Sequence, residues 1–210
     1  MGVISNGTTL LDAGAIDSGV PTGAMTLIKT LTASGSSTLS FVHGASSVVL
    51  DGTYKQYLFK FINIHPASAS KFEFNFTIDS GNNYNVTKTS TTFGVFHTEA
   101  DNSASLAYKT AHDLAQGTGN QILSVHGDVG TANDMSFCGT LRLFDPANTT
   151  FVKHFLAENA RSDFSVREYA NHQIVSGYAN TTSAVTGIQF TAWSGNIDDG
   201  TISLYGIKDS

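Results

Sequence analysis

The chain has 210 residues, a net charge of −6, 40% hydrophobic residues and only 13% charged ones, about half the roughly 25% charged share of ordinary domains. Its 14 phenylalanines rule out a disordered polymer, and its 11 Lys and Arg are scattered singly, which argues against phosphate-backbone binding. No apolar run approaches the roughly 20 residues that a membrane-spanning helix needs.

The opening stretch, MGVISNGTTLLDAG, lacks a basic start and an apolar h-region, so no secretory signal is expected. Asn6 stands where a myristoylation signal wants Ser or Thr. Residues 1–24 read as an extended N-terminal arm, punctuated by Pro21 and Gly23, ahead of a single domain over 25–210. Val3, Ile4, Leu10, Leu11 and Ile16 are too apolar for a pure solvent linker. An arm lying along a neighbouring subunit and an edge strand of the chain's own domain both fit them.

Strand signals then follow closely. MTLIKTLTA (25–33) is rich in β-formers, and STLSFVHG (37–44) alternates, with Leu39 and Phe41 on one side. YKQYLFKFINIHP (54–66) is apolar on both faces, which predicts a central strand covered on both sides and ended by Pro66. KFEFNFTID (71–79) sets Phe72, Phe74, Phe76 and Ile78 against Glu73, Asn75 and Thr77, the pattern of a half-buried strand. TIDSGNNY (77–84) resembles the Asp-box of sialidases at Thr77, Asp79, Gly81 and Tyr84, with Asn83 in place of Thr. A box of this kind is structural there, so it predicts a hairpin turn and not a catalytic site.

SASLAYKTAHDLAQ (103–116) is the one helical candidate, with Ala104, Ala107, Ala111, Leu114 and Ala115 on one face and Ser103 as a cap. Strands resume at 121–129, 135–146, 149–159, 165–180, 184–195 and 200–208, with Asp145-Pro146 and Asn148 forming a hairpin turn. There is no βαβ alternation and no short repeat. The expected fold is all-β: an antiparallel, jelly-roll-like sandwich with at most one short helix.

Motifs for chemistry are scarce. The histidines (His43, His65, His97, His112, His126, His154, His172) show no i,i+4 pair and no H-E-x-x-H, so each reads as a strand or loop residue with a local hydrogen bond. Cys138, the only cysteine, excludes an internal disulfide and a Cys-based metal cluster, and reads as a small buried hydrophobe. No G-x-S-x-G elbow or P-loop is present. The acids Glu73, Glu99, Asp101, Glu158, Asp163 and Glu168 define no pair. Asp198-Asp199-Gly200 reads as a hairpin turn before a final strand in which Ile202 and Leu204 face one way and Tyr205 and Ile207 the other. Trp193 reads as a core anchor, and if exposed as a sugar-stacking platform. Sequons at Asn6, Asn75, Asn85, Asn148 and Asn180 reflect an Asn- and Thr-rich composition. No catalytic, cofactor-binding or metal-ligating residue is expected.

Two segments carry a family resemblance. YKQYLFKFINIHPAS with FEFNFTIDSGNNYN contains Tyr57, Asn63, Ile64 and Pro66 ahead of the Asp79–Gly81 turn. SGYANTTSAVTGIQFTAWSGNIDDGTISLYGIK ends in Gly195-Asn196, Gly200-Thr201 and Leu204-Tyr205-Gly206-Ile207. Across roughly 25–208 the chain resembles small virion proteins of tailed bacteriophages, especially phages of marine bacteria: decoration or cement proteins, head fibres, and tail adsorption proteins. The resemblance implies a non-enzymatic virion structural protein without cofactors, made in the host bacterial cytoplasm. Its partners would be copies of itself, a trimer being the expected form, and other virion proteins such as the major capsid or tail proteins. No nucleic acid or membrane is implied. The alternative role is a tail or fibre module that binds a receptor or host surface glycan.

Overall fold

A computed structural model describes residues 3–5, 8–12, 15–16, 23–124, 127–162 and 169–208. The described residues contain strands and turns and no helix. The chain is an antiparallel β-sandwich of an eight-stranded and a four-stranded sheet. The first three strands, β1 (Val3–Ser5), β2 (Thr8–Asp12) and β3 (Ala15–Ile16), pair among themselves as a separate small sheet, order β1-β2-β3.

The strands of the sandwich are β4 (Met25–Thr32), β5 (Thr38–Val42), β6 (Gln56–Pro66), β7 (Phe72–Thr77), β8 (Lys88–Thr98), β9 (Ala104–Tyr108), β10 (Gln121–Ile122), β11 (Phe137–Phe144), β12 (Lys153–Ser162), β13 (Tyr169–Ala179), β14 (Gly187–Ala192) and β15 (Ile197–Ile207). The large sheet runs β4-β15-β6-β11-β12-β13-β8-β9 and the small one β10-β7-β14-β5. The chain crosses between them at most connections, in the manner of a jelly roll, while β8–β9 and β11–β12–β13 follow one another within the large sheet. Successive connections therefore bury the inner face of both sheets in one core.

Phenylalanines fill that core. Phe190 of β14 sits among Phe41 (6.3 Å between ring centroids), Phe59 (5.5 Å), Phe61 (5.2 Å), Phe72 (5.8 Å) and Phe74 (6.3 Å). Phe155 of β12 closes over Phe74 and Phe76. These are alternate residues of their strands, so the period of two read from the sequence is the period that packs. The closing strand β15 lies between β4 and β6, with Ile202 and Leu204 buried and Tyr205 and Ile207 half-buried on the far side.

Four expectations are corrected. The helix over 103–116 is instead β9 followed by turns, with Lys109 N–H donating to Thr92 O and His112 N–H to Lys109 O. Its alanine stripe is weak, and pairing with β8 overrides helix propensity. The 77–84 segment makes the expected turn but no hairpin, because β7 belongs to the small sheet and β8 to the large one. β6 is central but covered on one face only: Lys60 and Ile62 are exposed. β7 is buried on both faces, because residues 117–121 pass over Glu73 and Asn75.

Candidate functional site

The outer face of the large sheet has no covering layer among the described residues. From edge to edge it presents Met25 and Leu27 on β4, Tyr205 on β15, Leu58 and Ile62 on β6, Phe144 on β11, Leu156 on β12, Phe93 and Val95 on β8, and Leu106 and Tyr108 on β9. The most exposed is Leu106, at 71%. Strand register sets these side by side: Phe93 faces Tyr108 and Val95 faces Leu106 across β8–β9, and Phe93 faces Ile174 across β8–β13. The sequence sets apolar residues on both faces of β6 and β15 and predicts a cover on both sides of β6; here the second face of β6 meets solvent.

Histidines are distributed over this framework without converging. His172 contacts Glu158 (2.9 Å) on the outer face, and His97 contacts Asp101 (3.0 Å) at the turn after β8. His43 Nδ1 accepts from Leu50 N–H (3.1 Å), and the His154 ring packs edge-on to Tyr178. His126 lies outside the described residues, as do Asp163 and Glu168. Among the described residues no group of three or more His, Cys, Asp or Glu is placed to hold a metal ion.

A polar recess of about 390 Å³ is lined by Asn63, His65, Met135, Ser136, Asp198 and Asp199. His65 Nδ1 lies 2.8 Å from Asp198 Oδ1, and Nε2 lies 3.3 Å from Ala132 O. Burial alone would lower the His65 pKa, but the hydrogen bond and charge of Asp198 outweigh it and raise it. Asp198-Asp199-Gly200 is not the hairpin turn expected. It forms the bulged start of β15, with register shifts on either side of Asp199 and Gly200 at φ 108° against Asn63. A bulge re-aims successive side chains, which is how Asp198 comes to meet His65 and not the ladder. Glu99 lines a neighbouring recess with His97, Tyr169 and Ser136, and Ser136 also lines the His65 recess; Asp101 follows in the turn after β8.

Trp193 is 65% exposed, not a core anchor, because β14 ends at Ala192 and the chain turns outward; Lys71 Nζ sits 5.1 Å from its ring centroid. Cys138 is half-buried on the outer face of β11, its Sγ accepting from Asn63 N–H (3.2 Å).

A second cluster lies inside the protein and has no counterpart in the sequence reading. Lys88, 0% exposed, donates from Nζ to Asn75 Oδ1 (2.5 Å) and Val86 O (2.7 Å). Loss of hydration pulls its pKa down to about 7. Asn75 Oδ1 also accepts from Phe76 N–H (2.9 Å), and Asn75 Nδ2 donates to Thr118 O (3.0 Å) and Asn120 Oδ1 (3.1 Å). Glu73, 3% exposed, accepts from Asn120 Nδ2 through Oε2 (3.2 Å), and its Oε1 is buried without a hydrogen-bond partner. Burial raises the Glu73 pKa. Alternation in β7 placed Glu73 and Asn75 together on one face. It carried no signal that Lys88, thirteen positions on and in the other sheet, would meet them.

No protein-family model, curated protein or solved structure matches this chain.

Proposed function

We propose that the protein is a non-enzymatic structural component of a bacteriophage virion, of the capsid decoration or cement type, which binds the particle surface and neighbouring copies of itself. The observation that carries this reading is the uncovered apolar outer face of the large sheet. Lys60, Arg142, Glu158 and His172 share that face, and a cluster of exposed apolar side chains on such a face marks a place of association. Its end at β8–β9 is the most apolar part, where Phe93, Val95, Leu106 and Tyr108 lie together.

The occupant of that end is a second copy of the chain. β9 is a terminal strand of its sheet, so its outer edge offers unpaired backbone groups beside the apolar patch. Closed symmetry would hide both from solvent. Sedimentation of the purified protein, alone and with phage particles, tests the reading. An oligomer that cosediments with particles is expected; a strict monomer with no affinity for capsids or tails overturns it.

One observation favours the alternative, a tail or fibre module that binds a host surface glycan. Trp193 stands exposed under Lys71, an aromatic plane of the sort on which sugars stack. Glycan-array binding that is lost in Trp193→Ala would support it, and silence on the array with particle binding intact would remove it.

A further inference from the structure

The buried cluster around Lys88 has the parts of a reaction. Its amine donates only to neutral oxygens, and burial favours the uncharged, nucleophilic form near neutral pH. The carboxamide it touches is held rigidly. Phe76 N–H and Lys88 both point at Oδ1, which polarises the carbonyl, and Thr118 O with Asn120 Oδ1 fixes the amide nitrogen. Nζ is 2.5 Å from Oδ1, and a C=O bond is about 1.2 Å. Nζ therefore lies within about 3.7 Å of Cγ, close to the roughly 3–3.5 Å of a near-attack geometry. Glu73 stands two residues earlier on the same face of β7, tied to the same Asn120.

We propose that Lys88 and Asn75 join in an intramolecular isopeptide bond, with Glu73 as the acid–base partner. The Lys88 Nζ lone pair adds to Asn75 Cγ, and the carbonyl electrons move to Oδ1, where Phe76 N–H holds the charge. Glu73 meets the pair through Asn120, which bonds both its carboxyl and Asn75 Nδ2; for the exchange the carboxyl turns to give its proton to Nδ2 and take one from Nζ, so it ends as it began. The Cγ–Nδ2 bond then breaks and ammonia leaves. An amine and a carboxamide become a secondary amide and ammonia, and nothing is oxidised or reduced. Water is excluded because Lys88, Asn75 and Glu73 are all buried.

The bond would do a definite job. Asn75 belongs to the small sheet and Lys88 to the large one, so the link staples the two layers of the sandwich where the chain crosses between them. It gives a chain with one cysteine a covalent cross-link that needs no oxidising compartment. The inference rests on these three side chains and is independent of the virion reading.

Intact-mass spectrometry of the purified full chain, followed by tryptic digestion, tests it. The expected mass is lower than that of the sequence by one ammonia. Trypsin should cut after Lys71 and Lys109 but not after Lys88, leaving one looped peptide whose fragments link positions 75 and 88. Lys88→Met and Asn75→Ala should have their full sequence masses. Glu73→Gln, with the wild-type circular dichroism spectrum, should stay unlinked at full mass. A wild-type chain of full mass that is cleaved after Lys88 overturns the bond. So does an ammonia loss that maps to Asn6-Gly7 with Lys88 still cleaved. Linkage in Glu73→Gln equal to wild type overturns the role given to Glu73.

Discussion

Lys88 and Lys153 stand on either side of Ala179 on the inner face of the large sheet, each in register with it from a different neighbouring strand. Both lysines are 0% exposed, and burial lowers the pKa of each. Ala179 leaves the room that two long side chains need. Ala179→Leu should overpack this site and cost about 1–3 kcal/mol. Lys153 Nζ donates to Phe151 O (2.9 Å) and Thr181 O (3.2 Å). Lys153→Ala should cost about 1–3 kcal/mol by leaving these carbonyls unpaired. Urea unfolding midpoints at unchanged slope would report both, and wild-type midpoints would refute them.

Phe190 is the ring on which the two sheets meet, with five other phenylalanine rings around it. Phe190→Ala should destabilise the fold by about 3–5 kcal/mol, among the largest effects of any single core truncation here. Thermal and urea unfolding measure it.

His65 and Asp198 should make stability depend on pH in a known direction. The folded pKa of His65 is raised, so the stability it contributes is full below the unfolded value of 6.5 and is lost as pH rises through the folded value. Asp198→Asn should lower the His65 titration midpoint read by NMR and flatten the fall in stability that sets in as pH rises past the unfolded value of 6.5. An unmoved midpoint would separate the two residues.

Asp79 works in the opposite sense. The Thr77 hydroxyl, the Asn83 side chain and the Asn83 backbone N–H all donate to its carboxylate, which holds its pKa down to about 2 from the usual 3.8. Its contribution is present above 3.8 and is lost as pH falls toward about 2. Asp79→Ala should therefore melt lower than wild type at neutral pH, with the gap closing as pH approaches 2. A gap that persists there would show that the turn is held by something else.

Leu106 separates association from folding. At 71% exposure it packs on little within its own chain, so Leu106→Lys should change unfolding stability by no more than about 0.5 kcal/mol. The same variant should reduce the mass measured by sedimentation if β9 edges join copies. An unchanged oligomer would place the interface elsewhere.

The strands were legible wherever apolar residues alternate. Phe72, Phe74 and Phe76 in β7 and Ile202 and Leu204 in β15 stand buried on the faces that their spacing set. Local chemistry read as well: the Asp79 turn and the Asp145–Asn148 turn between β11 and β12 form as their residues demand. The short β9 did not read as a strand, because its five residues make sense only against β8.

The all-β class, the apolar character of both faces of β15 and the sets of side chains that share a face were all readable from residue order alone. These follow from a two-residue period that needs no knowledge of partners. What covers each face came from the packing of one sheet and its loops against the other. The apolar outer residues of β6 and β15 meet solvent, the polar face of β7 is buried under residues 117–121, and Trp193 points outward. Alternation is the same whether the second layer is a sheet, a loop or water. The meeting of Lys88 with Asn75 depends on a crossover between sheets, and spacing along the chain carries no trace of it.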